Sequence, residues 1–347
     1  MLLDFFKNKL KLGAICLAAF TLTGCDSFIY DDLDECPSGL QLRFVFNYNL
    51  LKADAFASQV KSVNVWAFDK TGAFVWSGAA SGDILTRPDY IMETPLGEGT
   101  YDFVAWCGLE DNDDFNLATY EPESKDDLEI KLRMLESDGL NISSSHFKSL
   151  FNGVVSDVNY TVDPLKPSVM TVTVPLIKDT NDIAVMLTHL DGSPIDSKDF
   201  TVTFTYADSY LAWDNAVEPS SPTVTYTPWS TLYGETTAAP VNGSQDERPV
   251  RSTLLFEMST SRLMDRGKAY LDIVRNDDNV TIIHVPLIEY FLLEKGSRFS
   301  EFGDQEYLDR RDDYTALFFI DQNNNWYVAG GVYINSWAVV PPQDQPL

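Results

Sequence analysis

Basic residues are scarce in this sequence, and their scarcity excludes one class of partner. The 347 residues contain 25 Lys and Arg against 52 Asp and Glu, so the formal net charge is −27 at pH 7. A chain with this charge repels a phosphate backbone, because proteins bind nucleic acid largely by neutralising phosphates with Lys and Arg. We therefore expect no nucleic-acid partner.

Histidine and cysteine are also few, and the common catalytic motifs are missing. The sequence has three histidines, His146, His189 and His284, and four cysteines, with none at the short spacing of a zinc site. It lacks the Gly-x-Ser-x-Gly, Walker and His-Glu-x-x-His patterns. The acidic run at residues 110–114 lacks the glycine and distal glutamate of a calcium loop, and we interpret it as a solvated loop. The sequence thus predicts no catalytic residue, no metal and no cofactor.

Long hydrophobic runs are absent, and the apolar stretch nearest the N-terminus is short. Lys7, Lys9 and Lys11 precede residues 12–20, which are apolar but far fewer than the ~20 residues that span a bilayer. A basic segment followed by a short apolar segment is typical of an export signal. We predict that residues 1–24 are a signal peptide and that the mature chain begins at residue 25.

The residues after this apolar stretch predict a lipid anchor. Leu22-Thr23-Gly24-Cys25 resembles the lipobox of bacterial lipoproteins, in which the cysteine thiol is acylated before cleavage. Cys25 is therefore the predicted lipidation site. The alternative is an ordinary secretory signal that happens to contain a cysteine. Two or more acyl chains hold a protein on a membrane far more firmly than one chain does.

The chain directly after Cys25 is strongly acidic. Residues 25–36 contain Asp26, Asp31, Asp32, Asp34 and Glu35, which anionic headgroups would repel. We interpret this stretch as a lipidated tether. It resembles the surface-export signal of Bacteroidetes lipoproteins, although apolar residues interrupt it, and it favours display on the cell surface.

Two cysteines remain after the signal and the anchor are accounted for. Cys36 and Cys107 form an even pair in a chain that crosses an oxidising compartment, which predicts a disulfide between them. Closing a loop of some seventy residues would stabilise the fold by about 4 kcal/mol on the chain-entropy model. The alternative is two buried free thiols.

Alternating apolar and polar residues predict many short strands. Residues 40–48 and 60–68 alternate as half-buried strands do, and residues 100–106, 128–132 and 169–174 are further strand candidates. Residues 60–76 predict a hairpin around Asp69-Lys70-Thr71-Gly72. A strand meander of this density favours a β-sandwich. Residues 178–181 separate two halves of ordinary domain size, so we predict domains at 37–177 and 178–347.

The second half shows the same pattern with little helix. The predicted strands are residues 183–187, 200–206, 223–227, 252–258, 269–274, 280–285, 315–320 and 331–340. Short helices are predicted at residues 287–294 and 304–311, with Asp304 as a candidate N-cap. His284 alternates within an apolar strand, and we interpret it as a packing or edge residue.

A dense aromatic group raises the alternative of a sugar-stacking surface. It comprises Tyr206, Tyr210, Trp213, Tyr226, Trp229 and Tyr233. Packing within sheets is the more common use of Tyr and Trp. Residues 218–248, rich in Pro, Ser, Thr and Gly, are interpreted as a long surface excursion that could carry binding instead.

Several motifs along the mature chain resemble FimB-type fimbrial anchor and accessory subunits of Bacteroidetes. The likeness is carried by Cys25-Asp26-Ser27, by residues 30–40 with Cys36-Pro37-Ser38-Gly39, by residues 43–49 and 99–106, by Val174-Pro175-Leu176-Ile177-Lys178, by Ser259-Thr260-Ser261-Arg262-Leu263-Met264, by residues 304–310, and by residues 318–321 and 334–337. It spans essentially the whole mature chain.

This resemblance implies an all-β fold of two tandem transthyretin-like β-sandwich domains with a few short helices. It implies a non-enzymatic lipoprotein, held in the outer membrane through Cys25, exposed at the cell surface and placed at the base of a fimbria. The expected partners are fimbrial stalk or accessory subunits. The expected roles are attachment of the fimbria with control of its length, or accessory work in assembly and adhesion. A glycan-binding surface lipoprotein is the alternative, and an envelope hydrolase is the third.

Overall fold

The computed structural model describes residues 39–163, 165, 168–237, 250–296, 298–328, 332–335 and 337–339. In chain order the strands are β1 (Gly39–Val45), β2 (Ser62–Asp69), β3 (Phe74–Ser81), β4 (Met92–Thr94), β5 (Gly99–Cys107), β6 (Phe115–Leu117), β7 (Ile130–Leu132), β8 (Leu135–Ser137), β9 (Leu140–Ser143), β10 (Phe151–Tyr160), β11 (Val169–Pro175), β12 (Ile177–Lys178), β13 (Asn181–His189), β14 (Phe200–Tyr206), β15 (Tyr210–Leu211), β16 (Val224–Tyr226), β17 (Ser230–Thr237), β18 (Val250–Thr260), β19 (Tyr270–Arg275), β20 (Val280–Pro286), β21 (Asp313–Ile320), β22 (Val332–Ile334) and β23 (Trp337–Val339).

Helices are short and few in the described residues. They are α1 (Phe56–Gln59), α2 (Leu287–Lys295) and α3 (Asp304–Arg310), with 3₁₀ turns at Gly82–Thr86, Lys125–Asp127 and Ser197–Asp199. In this part of the chain no helix has the length and apolar character needed to cross a membrane. The two helices predicted in the second half are confirmed, but Gly303, not Asp304, is the N-cap of α3.

The fold class is confirmed, because the chain is all-β and built around two successive sandwich cores. In the first sandwich a sheet in the order β11-β1-β4 faces a sheet in the order β12-β10-β5-β2-β3. Apolar side chains of β1, such as Leu42, share one buried cluster with side chains of β2 and β5, such as Val65 and Ala105. The second sandwich has the sheets β17-β18-β13-β21-β22-β23 and β20-β19-β14-β16-β9-β8.

Strands β2 and β5 are buried on both faces, so the expectation that residues 60–68 form a half-buried strand is wrong. Val65 and Ala105 face the first core, whereas Trp66 and Trp106 face the other way and belong to the second core cluster. The Trp106 Nε1 donates to the Leu128 carbonyl oxygen at 3.0 Å. A strand covered on both faces loses the apolar and polar alternation that marks a half-buried strand.

A crossing segment, defined as residues 109–150, joins the two sandwiches. Its strands β6 and β7 form a separate three-stranded sheet with β15. Its strand β9 pairs in parallel with β16 of the second sandwich. Its apolar side chains therefore lie in the second core, although the segment sits between two strands of the first. The single domain boundary predicted between residues 177 and 178 does not account for this segment.

Local turn chemistry explains the predicted hairpin, which is confirmed. Strands β2 and β3 pair in antiparallel fashion. Asp69 Oδ1 accepts hydrogen bonds from the Thr71 and Ala73 backbone amides, and Gly72 adopts a φ of 84°. Glycine adopts this left-handed conformation without the steric cost that a side chain would add.

Two other segments differ from their predictions. The predicted surface excursion at residues 218–248 contains β16 and the whole of β17, while residues 238–249 lie outside the described part. The single strand predicted at residues 331–340 is instead a tight hairpin of β22 and β23, with Asn335 at a φ of 46° between them. Asparagine is one of the few residues besides glycine that tolerate this conformation.

Gly108 lies directly before the crossing segment, and its substitution tests how tightly this segment is coupled to β5. Its φ is 89°, and a Cβ added there would overlap the Ser149 carbonyl oxygen. Gly139 also has a positive φ, 77°, but a Cβ there would meet open space. We expect Gly108→Ala to lower the free energy of unfolding by more than about 2 kcal/mol and Gly139→Ala by about 1 kcal/mol, measured by urea denaturation. Equal losses would show that strand β5 and the crossing segment are not tightly coupled.

Candidate functional site

The strand nearest the predicted tether is β1, and it lies in the middle of its sheet. Gly39 begins β1 only three residues after Cys36. All seven residues of β1 pair in parallel with β11, and three of them also pair with β4. Leu40, Leu42 and Phe44 point into the first core and are buried. A pull on Gly39 along the strand would load these backbone bonds and buried side chains together.

The segment between the two halves is buried rather than exposed as a linker. Asp179, Thr180 and Asn181 are all buried, with Asp179 completely so. The Asn215 Nδ2 donates to Asp179 Oδ1 at 2.7 Å, and the Asp179 amide donates to the Leu150 carbonyl oxygen at 2.8 Å. Residues 178–181, which the sequence predicts as a separator, therefore form part of a packed junction.

A buried ion pair lies at the centre of this junction. Arg262 Nε and Nη2 donate to Asp309 Oδ1 and Oδ2 at 2.8 and 2.7 Å, which is the bidentate geometry of a strong charge-assisted pair. Arg262 Nη1 donates to the Asn215 carbonyl oxygen. Asn215 in turn holds Asp179, so one guanidinium connects α3, the loop before β16 and the segment before β13.

Burial shifts the proton affinities of these groups. It raises the pKa of Asp179 to about 7, against the opposing effects of Arg262 and the Asn215 hydrogen bond. Asp179 Oδ2 has no hydrogen-bond partner among the described residues, which also disfavours the charged form. For Arg262, burial lowers the pKa, but the hydrogen bonds and charge of Asp309 outweigh it, so the pKa is raised. Arg262 is thus a fixed positive charge.

Helix α3 also contacts the first sandwich directly. The Arg310 guanidinium lies 4.0 Å from the centre of the Tyr48 ring, and the Leu50 amide donates to the Arg310 carbonyl oxygen at 3.1 Å. Beside the junction, Lys178 Nζ is 2.5 Å from Asp312 Oδ2. These contacts join the loop after β1 to the second sandwich, so β1 and the second core are held together.

The arrangement is suited to holding two domains in one orientation. Asn152 of β10 adds a further link, since its Nδ2 donates to the Trp213 carbonyl oxygen at 3.1 Å. Sequence reasoning did not find this junction. Two of the resemblance motifs contain Arg262 and Asp309, but nothing in either motif shows that they pair across 47 residues. A lone arginine among the otherwise small and apolar residues 259–264 is the signal that could have indicated a buried partner.

Two of the three predicted modification sites, Cys25 and Cys36, lie outside the described residues. Cys107 is described, and it is a completely buried free thiol in the first core. Burial and the charge of Asp179 raise the pKa of this thiol, so it is unreactive in the folded state. The lipidation of Cys25 and the pairing of Cys36 with Cys107 stay predictions.

Cys107 has the surroundings of a core residue. It pairs with Phe151, whose ring centre lies 5.0 Å from that of Phe46, just beyond the end of β1.

The histidines have separate, structural surroundings. Buried His189 forms hydrogen bonds with Ser193 and with Asn324, which close the turn after β13. His284 lies on the edge strand β20, exposed, with its Nδ1 2.7 Å from Asp272 Oδ1. Its interpretation as an edge residue agrees with this position. Among the described residues, no group of three or more His, Cys, Asp or Glu is placed to hold a metal ion.

The six aromatics proposed as a sugar surface do not lie on one face. Tyr206 and Tyr226 are buried in the second core. Trp213 lies at the junction, where its Nε1 donates to Asp126 Oδ1 at 3.0 Å and Lys125 Nζ sits 4.5 Å from its ring. The others are Tyr210, Trp229 and Tyr233, of which Tyr233 is the most exposed. Packing accounts for most of this group.

Solved structures that superpose on most of this chain include a candidate adhesin and a fimbrial anchor protein. A candidate adhesin from Bacteroides thetaiotaomicron is 30% identical and superposes with a TM-score of 0.74, covering 89% of this chain and 99% of that one. A candidate polysaccharide-binding protein of the same organism is 26% identical, with a TM-score of 0.72 over 88% and 99% of the two chains. The fimbrial anchor protein Mfa2 of Porphyromonas gingivalis shares the fold at 16% identity and a TM-score of 0.64, over 88% and 99%.

The amino-acid sequence shows the family to which the chain belongs. Residues 33–341 match the family of fimbrillin-A associated anchor proteins Mfa1 and Mfa2, and the chain belongs to this family. A curated relative, the minor fimbrium anchoring subunit Mfa2 of Porphyromonas gingivalis, is 29% identical over 111 residues, which span 32% of this chain and 34% of that protein. The match therefore covers about a third of the curated relative. The resemblance to fimbrial anchor and accessory subunits is confirmed.

The buried ion pair gives a first prediction for the junction. Arg262→Ala would leave Asp309 buried without its partner, and we expect a loss of about 3–5 kcal/mol in the free energy of unfolding. Arg266→Ala is the matched control, because that side chain is almost fully exposed and lies 4.0 Å from Asp265. We expect the control to change stability by less than about 0.5 kcal/mol. Similar losses in both variants, measured by urea unfolding, would contradict a central role for Arg262.

Asp179 gives a pH prediction. Because its pKa is about 7 in the folded protein against 3.8 as the reference value, the folded state binds the proton more tightly. Its contribution to stability is complete below pH ~4 and is lost as the pH rises to about 7. Asp179→Asn mimics the protonated form, so we expect its unfolding free energy to decline less over this range than that of the wild type. Parallel stability curves for the two proteins between pH 4 and 8 would contradict the prediction.

Proposed function

We propose that this protein is a lipid-anchored subunit that attaches a fimbria to the outer membrane. Cys25 would carry the lipid, the acidic residues 25–36 would form the tether, and β1 would be the first folded element to receive tension. A fimbrial stalk or accessory subunit would bind elsewhere on the two sandwiches. The protein would act at the cell surface, at the base of the fimbria, and would have no catalytic role.

The observation that carries this proposal is the position of β1. Tension from a membrane anchor would enter at Gly39, where β1 pairs with strands on both sides and buries three apolar side chains. Backbone hydrogen bonds along a strand that is pulled lengthwise share the force, whereas a strand that is pulled perpendicular to its length opens one bond at a time. The buried junction of Arg262, Asp309 and Asp179 would then pass the force to the second sandwich.

Family membership supports the fimbrial part of the proposal. The family comprises anchor proteins associated with fimbrillin, and the curated relative is named an anchoring subunit. Control of fimbrial length is a second role that the resemblance implies. It would follow from attachment if the anchor ends the polymer at its base. An accessory role in assembly or adhesion would use the same two domains.

Glycan binding is the second candidate function, favoured by one structural neighbour. That neighbour is described as a candidate polysaccharide-binding protein and is 26% identical to this chain. The aromatic group gives it little support, because Tyr206 and Tyr226 are buried and Trp213 contacts Lys125 and Asp126. A sugar-binding surface would need exposed rings on one face.

The proposal is tested with Cys25→Ala in cells that carry fimbriae. Loss of the acylated thiol should release the protein from the membrane, and filaments should be shed into the medium or become longer while the stalk subunit is still made. Cys16→Ala is the matched control, because Cys16 lies in the predicted signal peptide and would not carry lipid. The measurements are surface labelling of the protein, with filament number and length by electron microscopy.

One outcome of this experiment would contradict the proposed anchoring role. Filaments that stay attached at normal length while the Cys25→Ala protein is released would overturn the anchoring role. Glycan binding would then be tested next, by titrating oligosaccharides against the wild type, Trp213→Ala and Trp229→Ala.

A further inference from the structure

One face of the second sandwich carries an unusual row of apolar side chains directed away from the core. Strand by strand, the row consists of Leu232, Leu255, Met186, Leu317 and Tyr333, which are register partners across β17, β18, β13, β21 and β22. We call this set the outer row. Four members alternate with buried residues of their own strands, such as Val185 and Leu187 beside Met186, whereas Leu232 lies on the edge strand β17 between exposed residues. With strands about 4.8 Å apart, the row extends ~19 Å across the sheet.

The outer row is accessible in the structure. Leu232 has 53% of its surface exposed, and none of the other four members is fully buried. Side chains on the solvent face of an antiparallel or mixed sheet are ordinarily polar, because that face meets water. A continuous apolar row rimmed by polar residues is typical of an interaction site.

An acidic cleft adjoins the outer row. A cavity of about 270 Å³ is lined by Asp182, Glu257 and Asp313 together with Trp229 and His146. Asp182 and Asp313 are register partners, and Glu257 lies two residues from Leu255 on the same face of β18. Glu257 is therefore about 7 Å along the strands from the outer row, and Asp182 and Asp313 are about 13 Å from it.

The cleft has features that suit a cation. Trp229 stacks on His146 with ring centres 4.2 Å apart, and its Nε1 is buried without a hydrogen-bond partner in the described part of the chain. Asp182 Oδ1 accepts from the Ser259 hydroxyl at 2.7 Å and lies 3.8 Å from His146 Nε2, and Asp313 lies 4.0 Å from Arg311. Glu257 makes no ion pair with any described residue. A Lys or Arg side chain would find carboxylates and an aromatic ring at one place.

We propose that the outer row and the acidic cleft together bind a segment of another protein subunit that carries a Lys or Arg beside apolar side chains. The apolar side chains would cover the outer row, and the cation would enter the cleft. A second copy of this chain fits less well, because each copy has a net charge of −27 and would bring the same carboxylates. The inference deepens the proposed function, since it states the chemistry by which a fimbrial subunit would dock.

A peptide titration tests the site without relying on fimbriae. The probe is acetyl-Leu-Arg-Leu-amide, and the control probe is acetyl-Leu-Glu-Leu-amide. The readout is the Trp229 indole N–H resonance of the purified mature protein, with the Trp213 indole as an internal reference because it is already bonded to Asp126. We expect the Arg peptide to shift the Trp229 resonance but not that of Trp213, and the Glu peptide to shift neither.

Variants identify which groups bind the probe. Glu257→Gln with Asp313→Asn should weaken binding of the Arg peptide about tenfold or more, because the attraction to the cation is removed. Glu235→Gln on strand β17 is the matched control, since it leaves the cleft and the outer row intact. Equal shifts from both peptides, no shift, or unchanged affinity in the double variant would overturn the proposal. A dimer of the wild type in sedimentation that Leu255→Glu abolishes would also overturn it, in favour of a second copy.

The experiment in cells separates this inference from the proposed function. Glu257→Lys should cause shedding of filaments while the protein stays on the surface, whereas Glu235→Lys should not. If Cys25→Ala leaves filaments attached, the proposed function fails while the peptide titration still decides the site. If Cys25→Ala sheds filaments but Glu257→Lys retains them as the wild type does, the docking inference fails alone.

Discussion

The bidentate pair between Arg262 and Asp309 is the interaction around which those elements of the second half that contact the first sandwich are arranged. It connects α3 to the residues that follow β18. Arg262 also binds Asn215, which in turn binds Asp179 in the segment that enters the second half. A buried ion pair is costly to form and more costly to break, because the remaining charge would have no solvent. Such a pair specifies one arrangement of its neighbours. The chain therefore behaves as a joined unit at this point, even though it has two cores.

The crossing segment adds a second constraint of a different kind. It leaves the first sandwich after β5, contributes strands to the sheets of the second, and returns at β10. Its apolar side chains cover Trp66 and Trp106 on the outer face of the first sandwich. Separating the two sandwiches would expose this apolar surface as well as the buried charges. Hydrophobic burial and ionic pairing thus act together, which suits a protein that is expected to transmit tension.

Much of the fold was predictable from local patterns. The alternation in residues 40–48 and 169–174 identified β1 and β11, and the turn at Asp69 identified the first hairpin. Strands β2 and β5 were found, but β2 was assigned the wrong burial, because Trp66 faces a layer contributed by residues far along the chain. The parallel pairing of β9 with β16 joins Asn141 to Val224 and could not be predicted, since no local periodicity encodes a partner at that distance.

The candidate functional sites also divide into one that a contiguous motif predicts and others that only the structure shows. The predicted lipidation motif around Cys25 is short and contiguous, so it can be proposed from sequence. The family motifs along the chain were sufficient to indicate the family that the comparisons confirm. The junction, the outer row and the acidic cleft each combine residues from several strands or helices. Their members are ordinary in sequence, and only their register places them together.

By itself, the sequence determined the all-β class, most strand positions, the acidic charge and the family, because these follow from periodicity, composition and contiguous motifs. Only the tertiary structure decided that residues 179–181 are buried, that Arg262 pairs with Asp309, and that Cys107 is buried in the first core. These features arise from pairings between strands that are distant in sequence. Their geometry depends on sheet register, which the local pattern of residues does not encode.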